Sequence, residues 1–123
     1  MAKILLIDDD EHVLKVMTSF LEREHHEIET AVDGRQGIKL LENQLYDLII
    51  TDIIMPEEDG LGVLMWLMNK KNCTKVIVMS GGSAFLDQNF LLNMCKRLHA
   101  DKVLSKPVEF ETLREAICEV MAS

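Results

Sequence analysis

At 123 residues the chain is large enough for one domain with a real core and too small for two. An apolar content of 48% beside 28% charged residues is that of a soluble globular chain, and no apolar run is long enough to span a bilayer. A net charge of −8 argues against direct nucleic-acid binding by this chain, although the acids also fit a solvated face.

Met1-Ala2-Lys3 leads straight into a strand-like run without a signal-peptide pattern, so a cytoplasmic chain with no membrane partner is expected. Cys73, Cys95 and Cys118 lack Cys-x-x-Cys spacing and read as small packing residues kept reduced.

Lys3 to Ile7 is a continuous apolar run, as expected of a strand covered on both faces. It stops at Asp8-Asp9-Asp10-Glu11. Val13, Val16, Met17, Phe20 and Leu21 then recur at helical spacing to about Glu24, with acids at the positive end of the helix dipole. Glu27 to Val32 predicts a second strand and Asp33-Gly34 a turn. Gln36 to Gln44 predicts a second helix, with Ile38, Leu40 and Leu41 inward. Tyr46 to Thr51 is the third strand, Gly60 to Lys71 the third helix, and Val76 to Met79 the fourth strand. A helix-rich segment follows over 84–98. Lys102 to Leu104 is a short fifth strand, and Phe110 to Met121 the fifth helix. Strand and helix alternate five times. That pattern calls for an α/β fold: a parallel sheet with helices on both faces and right-handed crossovers.

In such a sheet, ligands bind at the carboxyl ends of the strands, where strand order reverses. Asp8-Asp9, Asp52, Ser80 and Lys106-Pro107 all fall at strand ends. In the order 2-1-3-4-5, Asp8, Asp9 and Asp52 meet at the switch point. Three packed carboxylates repel, and a hard divalent cation removes the conflict, Mg²⁺ above all where phosphate is received. Lys106 adds a positive charge and Ser80 a hydroxyl, which suits phosphoryl oxygens with one carboxylate as nucleophile. Each part has a plainer reading. Asp8 to Asp10 also fits a helix N-terminus, Ser80 a turn or cap, and Lys106 a solvated lysine. Asp52, at the tip of an apolar strand, is the hardest to read plainly.

Over nearly its whole length the chain resembles the receiver domain of two-component response regulators. The resemblance rests on Ile4-Leu5-Leu6-Ile7-Asp8-Asp9, on Asp52-Ile53-Ile54-Met55-Pro56 with Asp59-Gly60 behind it, on Ser80-Gly81, and on Lys106-Pro107. It implies a flavodoxin-like three-layer sandwich with five strands in the order 2-1-3-4-5 and five helices, residues 1–123 forming one receiver domain. It also implies that Asp52 takes a phosphoryl group from a sensor histidine kinase or a histidine phosphotransfer protein. Asp9, Asp52 and the Ile54 carbonyl would ligate Mg²⁺, with Asp8 acting mainly through water. Ser80 and Lys106 would each bind a phosphoryl oxygen, and a cis bond before Pro107 would aim Lys106 inward. Output would pass through the surface of the fourth helix, fifth strand and fifth helix, to an output protein or within a homodimer.

Three features depart from the common receiver pattern. Val103 stands where many receivers carry an aromatic, so a relay by ring rotation is not expected. The interval from Ser80 to Lys106 is about one helical turn longer than in most receivers. Neither Ile54 nor Gly82 can orient a water, which predicts slow self-dephosphorylation. On the third helix, Val63, Leu64 and Leu67 are the expected inward set. Met65, Trp66 and Met68 then form either a contact surface or, as preferred, part of a wide apolar helix covered by a neighbour. His25-His26 is expected to be solvated in a turn, and His12 to lie near the acidic edge. The alternative function is a small Mg²⁺-dependent phosphatase or transferase using an aspartyl-phosphate. That reading lacks a second acid at Ile54 and any room for a substrate cap.

Overall fold

The computed structural model describes residues 1–53, 60–81, 93 and 96–122. In chain order the elements are β1 (Lys3–Ile7), α1 (Glu11–Arg23), β2 (Glu27–Ala31), α2 (Gly34–Asn43), β3 (Leu48–Asp52), α3 (Gly60–Asn69), β4 (Lys75–Ser80), β5 (Lys102–Ser105) and α4 (Phe110–Ala122). All five strands run parallel in one sheet of order β2-β1-β3-β4-β5. Four helices stand among the described residues where five were expected. The expected helix over 84–98 falls mostly outside those residues, and only Asn93, Lys96 and Arg97 of it are helical among them. The helix expected as the fifth is therefore α4. None of the described helices is long and apolar enough to cross a membrane.

Alternation along each strand divides the core. Ile4 and Leu6 of β1, with Leu48 and Ile50 of β3, face Leu14, Met17, Phe20 and Leu21 of α1 and Leu113, Ile117 and Val120 of α4. Leu5, Ile7 and Ile49 face the other way, against Leu41 of α2 and Val63, Leu64 and Leu67 of α3. The result is the expected three-layer sandwich.

Several local expectations shift. In α1, Leu14 is buried and Val16 is 38% exposed, because both fit a 3.6-residue period and only the helix's rotation separates them. The turn expected at Asp33-Gly34 is the N-terminus of α2. The Asp33 carboxylate accepts from Gln36 N–H, and Gln36 Oε1 accepts from Val32 N–H. Ile38 and Leu40 are only half-buried, because α2 approaches the sheet through Gly37. A Cβ there would overlap Ile7 Cδ1 and come within 3.2 Å of Cγ1. Tyr46 precedes β3 and is buried, with its hydroxyl donating to Glu29 Oε1 at 2.8 Å. Cys73 and Cys118 are exposed free thiols, not packing residues. Cys95 lies outside the described residues.

His25 takes a left-handed φ of 68° just past the end of α1. His26 is half-buried rather than solvated, and its Nδ1 accepts from Ala2 N–H at 3.1 Å, tying the start of β1 to the α1–β2 turn. On α3, Trp66 packs partly against the core, but Met65 and Met68 are 55% and 41% exposed. The preferred reading, a helix covered all round by neighbours, therefore fails for those two side chains.

Candidate functional site

Parallel register brings every strand's carboxyl end to one edge. Ile7 pairs with Thr51, Asp52 with Met79, and Ser80 with Ser105. The next residue after β1 is Asp8, the last of β3 is Asp52, and the next after β5 is Lys106. Asp8, Asp52 and Ser80 are all buried.

Lys106 joins the two buried acids. Its Nζ lies 2.6 Å from Asp52 Oδ2 and 2.8 Å from Asp8 Oδ2. The Lys106–Pro107 bond is cis, and Lys106 N–H donates to the Ser80 carbonyl at 2.9 Å, which fixes where the side chain starts. Burial draws the Lys106 ammonium down, but its hydrogen bonds to Asp52 and Asp8 outweigh this and leave it above the usual lysine value.

The triple acid run divides its work. Asp10 is the N-cap of α1, with its carboxylate accepting from His12 N–H at 2.9 Å and Val13 N–H at 3.3 Å. Asp8 Oδ1 accepts from Asp10 N–H, so the loop is held back against the site. Asp9 is exposed at the mouth. Partial desolvation and the neighbouring Asp8 and Asp52 hold its carboxyl above the usual carboxylate range. The run splits between two places: Asp10 caps the helix, and Asp8 and Asp9 converge with Asp52.

Asp8, Asp9 and Asp52 each offer one carboxylate oxygen within 4.8 Å of the others. An all-oxygen set with converging negative charge is chemically able to hold a hard cation. The Ile54 carbonyl, expected as a further ligand, lies outside the described residues, as does Gly82. Ser80 Oγ is buried and has no hydrogen-bond partner among the described residues. Such a hydroxyl costs stability unless it has another use. A Cβ added at Gly81 would stand 3.7 Å from Lys106 Cδ, in ordinary van der Waals contact with its stem. The acid run reads from sequence as a helix N-terminus, and the structure singles out Asp10 within it as the cap.

A family model described as "Response regulator receiver domain" matches residues 4–118. Among curated relatives, the chain is 35% identical over 107 residues to the transcriptional regulatory protein CpxR of Escherichia coli, covering 87% of this chain and 44% of that one. It is 32% identical over 117 residues to the transcriptional regulatory protein CiaR of Streptococcus pneumoniae, covering 95% and 50%. The chain thus spans at most about half the length of these relatives. Among solved structures it superposes on a CheY-like response regulator receiver domain protein from Methanospirillum hungatei with a TM-score of 0.88 at 28% identity, covering 99% and 94% of the two chains. A receiver domain protein from Clostridium thermocellum gives 0.85 at 31%, covering 99% and 95%. The chain belongs to the response regulator receiver domain family, the phosphorylation signalling modules of two-component systems, which are not turnover enzymes.

Proposed function

We propose that residues 1–123 form one receiver domain in which Asp52 is the phosphoacceptor. The observation that carries this is the Asp52 carboxylate itself, buried at the end of β3 and drawn 2.6 Å from the Lys106 ammonium. A buried carboxylate held beside a cation and two further acids has been desolvated at a cost that packing alone does not explain.

An Asp52 oxygen attacks the phosphorus of a phosphohistidine on a sensor kinase or phosphotransfer protein. The P–O bond of an aspartyl phosphate forms as the P–N bond breaks, and the imidazole leaves. Lys106, already between Asp8 and Asp52, moves its charge onto a phosphoryl oxygen, and Ser80 Oγ donates to another. Asp8, Asp9 and Asp52, with the Ile54 carbonyl, are the residues that would hold Mg²⁺. A bound ion would neutralise carboxylate and phosphoryl charge there.

The added charge biases a two-state equilibrium that alters the surface of β5 and α4, for an output protein or a second copy. The signal is taken in the cytoplasm. Incubating the chain with acetyl phosphate and Mg²⁺ and measuring intact mass tests the assignment. One phosphoryl group is expected on the wild type and none on Asp52→Ala. Equal labelling of both would place the acceptor elsewhere.

A further inference from the structure

At the opposite edge of the sheet, a strand length of about 17 Å from Asp52, Lys70, Lys71 and Lys75 fall between the end of α3 and the start of β4. From Gly60 to Ala100 the sequence carries five Lys and Arg residues and a single acid, Asp87, in a chain of net charge −8. Lys70, Lys71, Lys75, Lys96 and Arg97 have no ion pair among the described residues.

Two of these cations, Lys71 and Lys75, line a groove of about 420 Å³ between the end of α3 and the start of β4. Leu64, Leu67 and Val76 line it from the core, and Met68, Lys71 and Lys75 line it at the surface. Its shape is set by backbone. Lys71 takes a left-handed φ of 53°, and its N–H donates to the Met68 carbonyl while Asn72 N–H donates to Leu67. His99 turns the chain in the same way on the far side, with φ 63°. Asp101, the acid in its described lining, is engaged, with its Oδ2 accepting from Val76 N–H at 2.8 Å.

Lysines at a helix C-terminus complement its dipole, which accounts for Lys70 and Lys71. It does not account for Met65 and Met68 standing 55% and 41% exposed on the same helix. Methionine surfaces adapt to varied apolar partners, and unpaired lysines around an apolar groove complement carboxylates. A concave groove favours an inserted side chain over a flat bilayer. Trp66, packed partly on the core, is a poor stacking platform for a base.

We propose that this groove docks a short acidic segment of a partner protein, with one large apolar side chain in the groove and carboxylates against Lys71 and Lys75. The surface is separate from the phosphorylation site, so its occupancy does not require Asp52.

Selection of a displayed library of random peptides about 12 residues long against the purified chain tests this. Enriched peptides are expected to be net acidic with a Leu, Ile, Met, Phe or Trp, and to shift backbone amide resonances over 64–76. Their Kd should rise about tenfold or more in Lys71→Glu/Lys75→Glu and also rise in the uncharged variant Met68→Gln. Labelling of Asp52 by acetyl phosphate should persist in both variants, showing that they fold. The proposal is overturned if no peptides enrich, if those that do are neutral or basic, or if their binding ignores both variants. It is equally overturned if groove-dependent binding appears only with phosphatidylserine-containing vesicles or with a single-stranded oligonucleotide.

Discussion

The Lys106 ammonium stands 2.6 Å from the Asp52 carboxylate across 54 residues of sequence, with its side chain only 24% exposed. The pair ties β5 to β3 over the top of β4. One cation thereby serves both buried acids, Asp8 and Asp52.

Removing that cation leaves Asp8 and Asp52 buried against each other. Lys106→Met is expected to cost about 2 kcal/mol in EDTA, less than a fully buried pair because Lys106 reaches solvent. The raised lysine value sets the pH range. Its contribution is complete below the unfolded value of 10.5 and is lost only as pH rises through the higher folded value. Urea unfolding should therefore show a deficit that is constant across neutral pH and shrinks when Mg²⁺ is added. An unchanged midpoint in EDTA would count against the pair.

Asp9 makes the opposite contribution, since it adds repulsion and no hydrogen bond to Lys106. Asp9→Asn is expected to stabilise the metal-free chain only slightly, by about 0.3 kcal/mol, because solvent screens the exposed carboxylate, and to remove most of the stabilisation that millimolar Mg²⁺ gives the wild type. Thermal melts with EDTA and with Mg²⁺ provide the check. A variant still stabilised by Mg²⁺ as strongly as the wild type would remove Asp9 from the ligand set.

The fold and this site were legible because both are written in runs and their ends. Four apolar strands stop at Asp8, Asp52, Ser80 and Lys106, and a parallel sheet must bring those ends together. What stayed hidden depends on contacts between elements. Nothing local distinguishes Leu14 from Val16, or marks Gly37 as the point where α2 meets Ile7. The bond from Ala2 to His26 spans 24 residues of sequence, and the exposure of Met65 and Met68 is set by how other elements pack around α3, not by their own sequence.

Gly37 sets the distance between α2 and β1. Alanine would gain helix propensity of about 1 kcal/mol, but its Cβ would meet Ile7, which is fully buried and has little freedom to move. Gly37→Ala should lose about 1 kcal/mol net. Ile7→Val removes Cδ1, so the double variant should be more stable than the sum of the single changes. Additive losses in a denaturant-based double-mutant cycle would rule out the contact.

His26 gives the fold a mild acid sensitivity. Burial first, then the positive N-terminus, hold its imidazole below the ordinary value of 6.5. The unfolded chain therefore binds this proton more readily. The contribution of neutral His26 is complete above about pH 6.5 and is lost as pH falls toward the lower folded value. His26→Gln should flatten the stability curve in that window, as read by urea midpoints from pH 7 to 5. A curve of the same slope in the variant would assign the sensitivity elsewhere.

Ser80 separates stability from function most cleanly. Its hydroxyl is buried and makes no hydrogen bond among the described residues, so Ser80→Ala removes no bond seen among them. Stability should change by less than about 0.5 kcal/mol, with a gain as plausible as a loss. Phosphorylation should respond differently if the hydroxyl waits for a phosphoryl oxygen. Loss of one such donor should slow labelling by acetyl phosphate by about tenfold or more. Comparing urea midpoints with the rate of mass gain resolves the two roles. A destabilised Ser80→Ala that labels at the wild-type rate would show a structural hydroxyl.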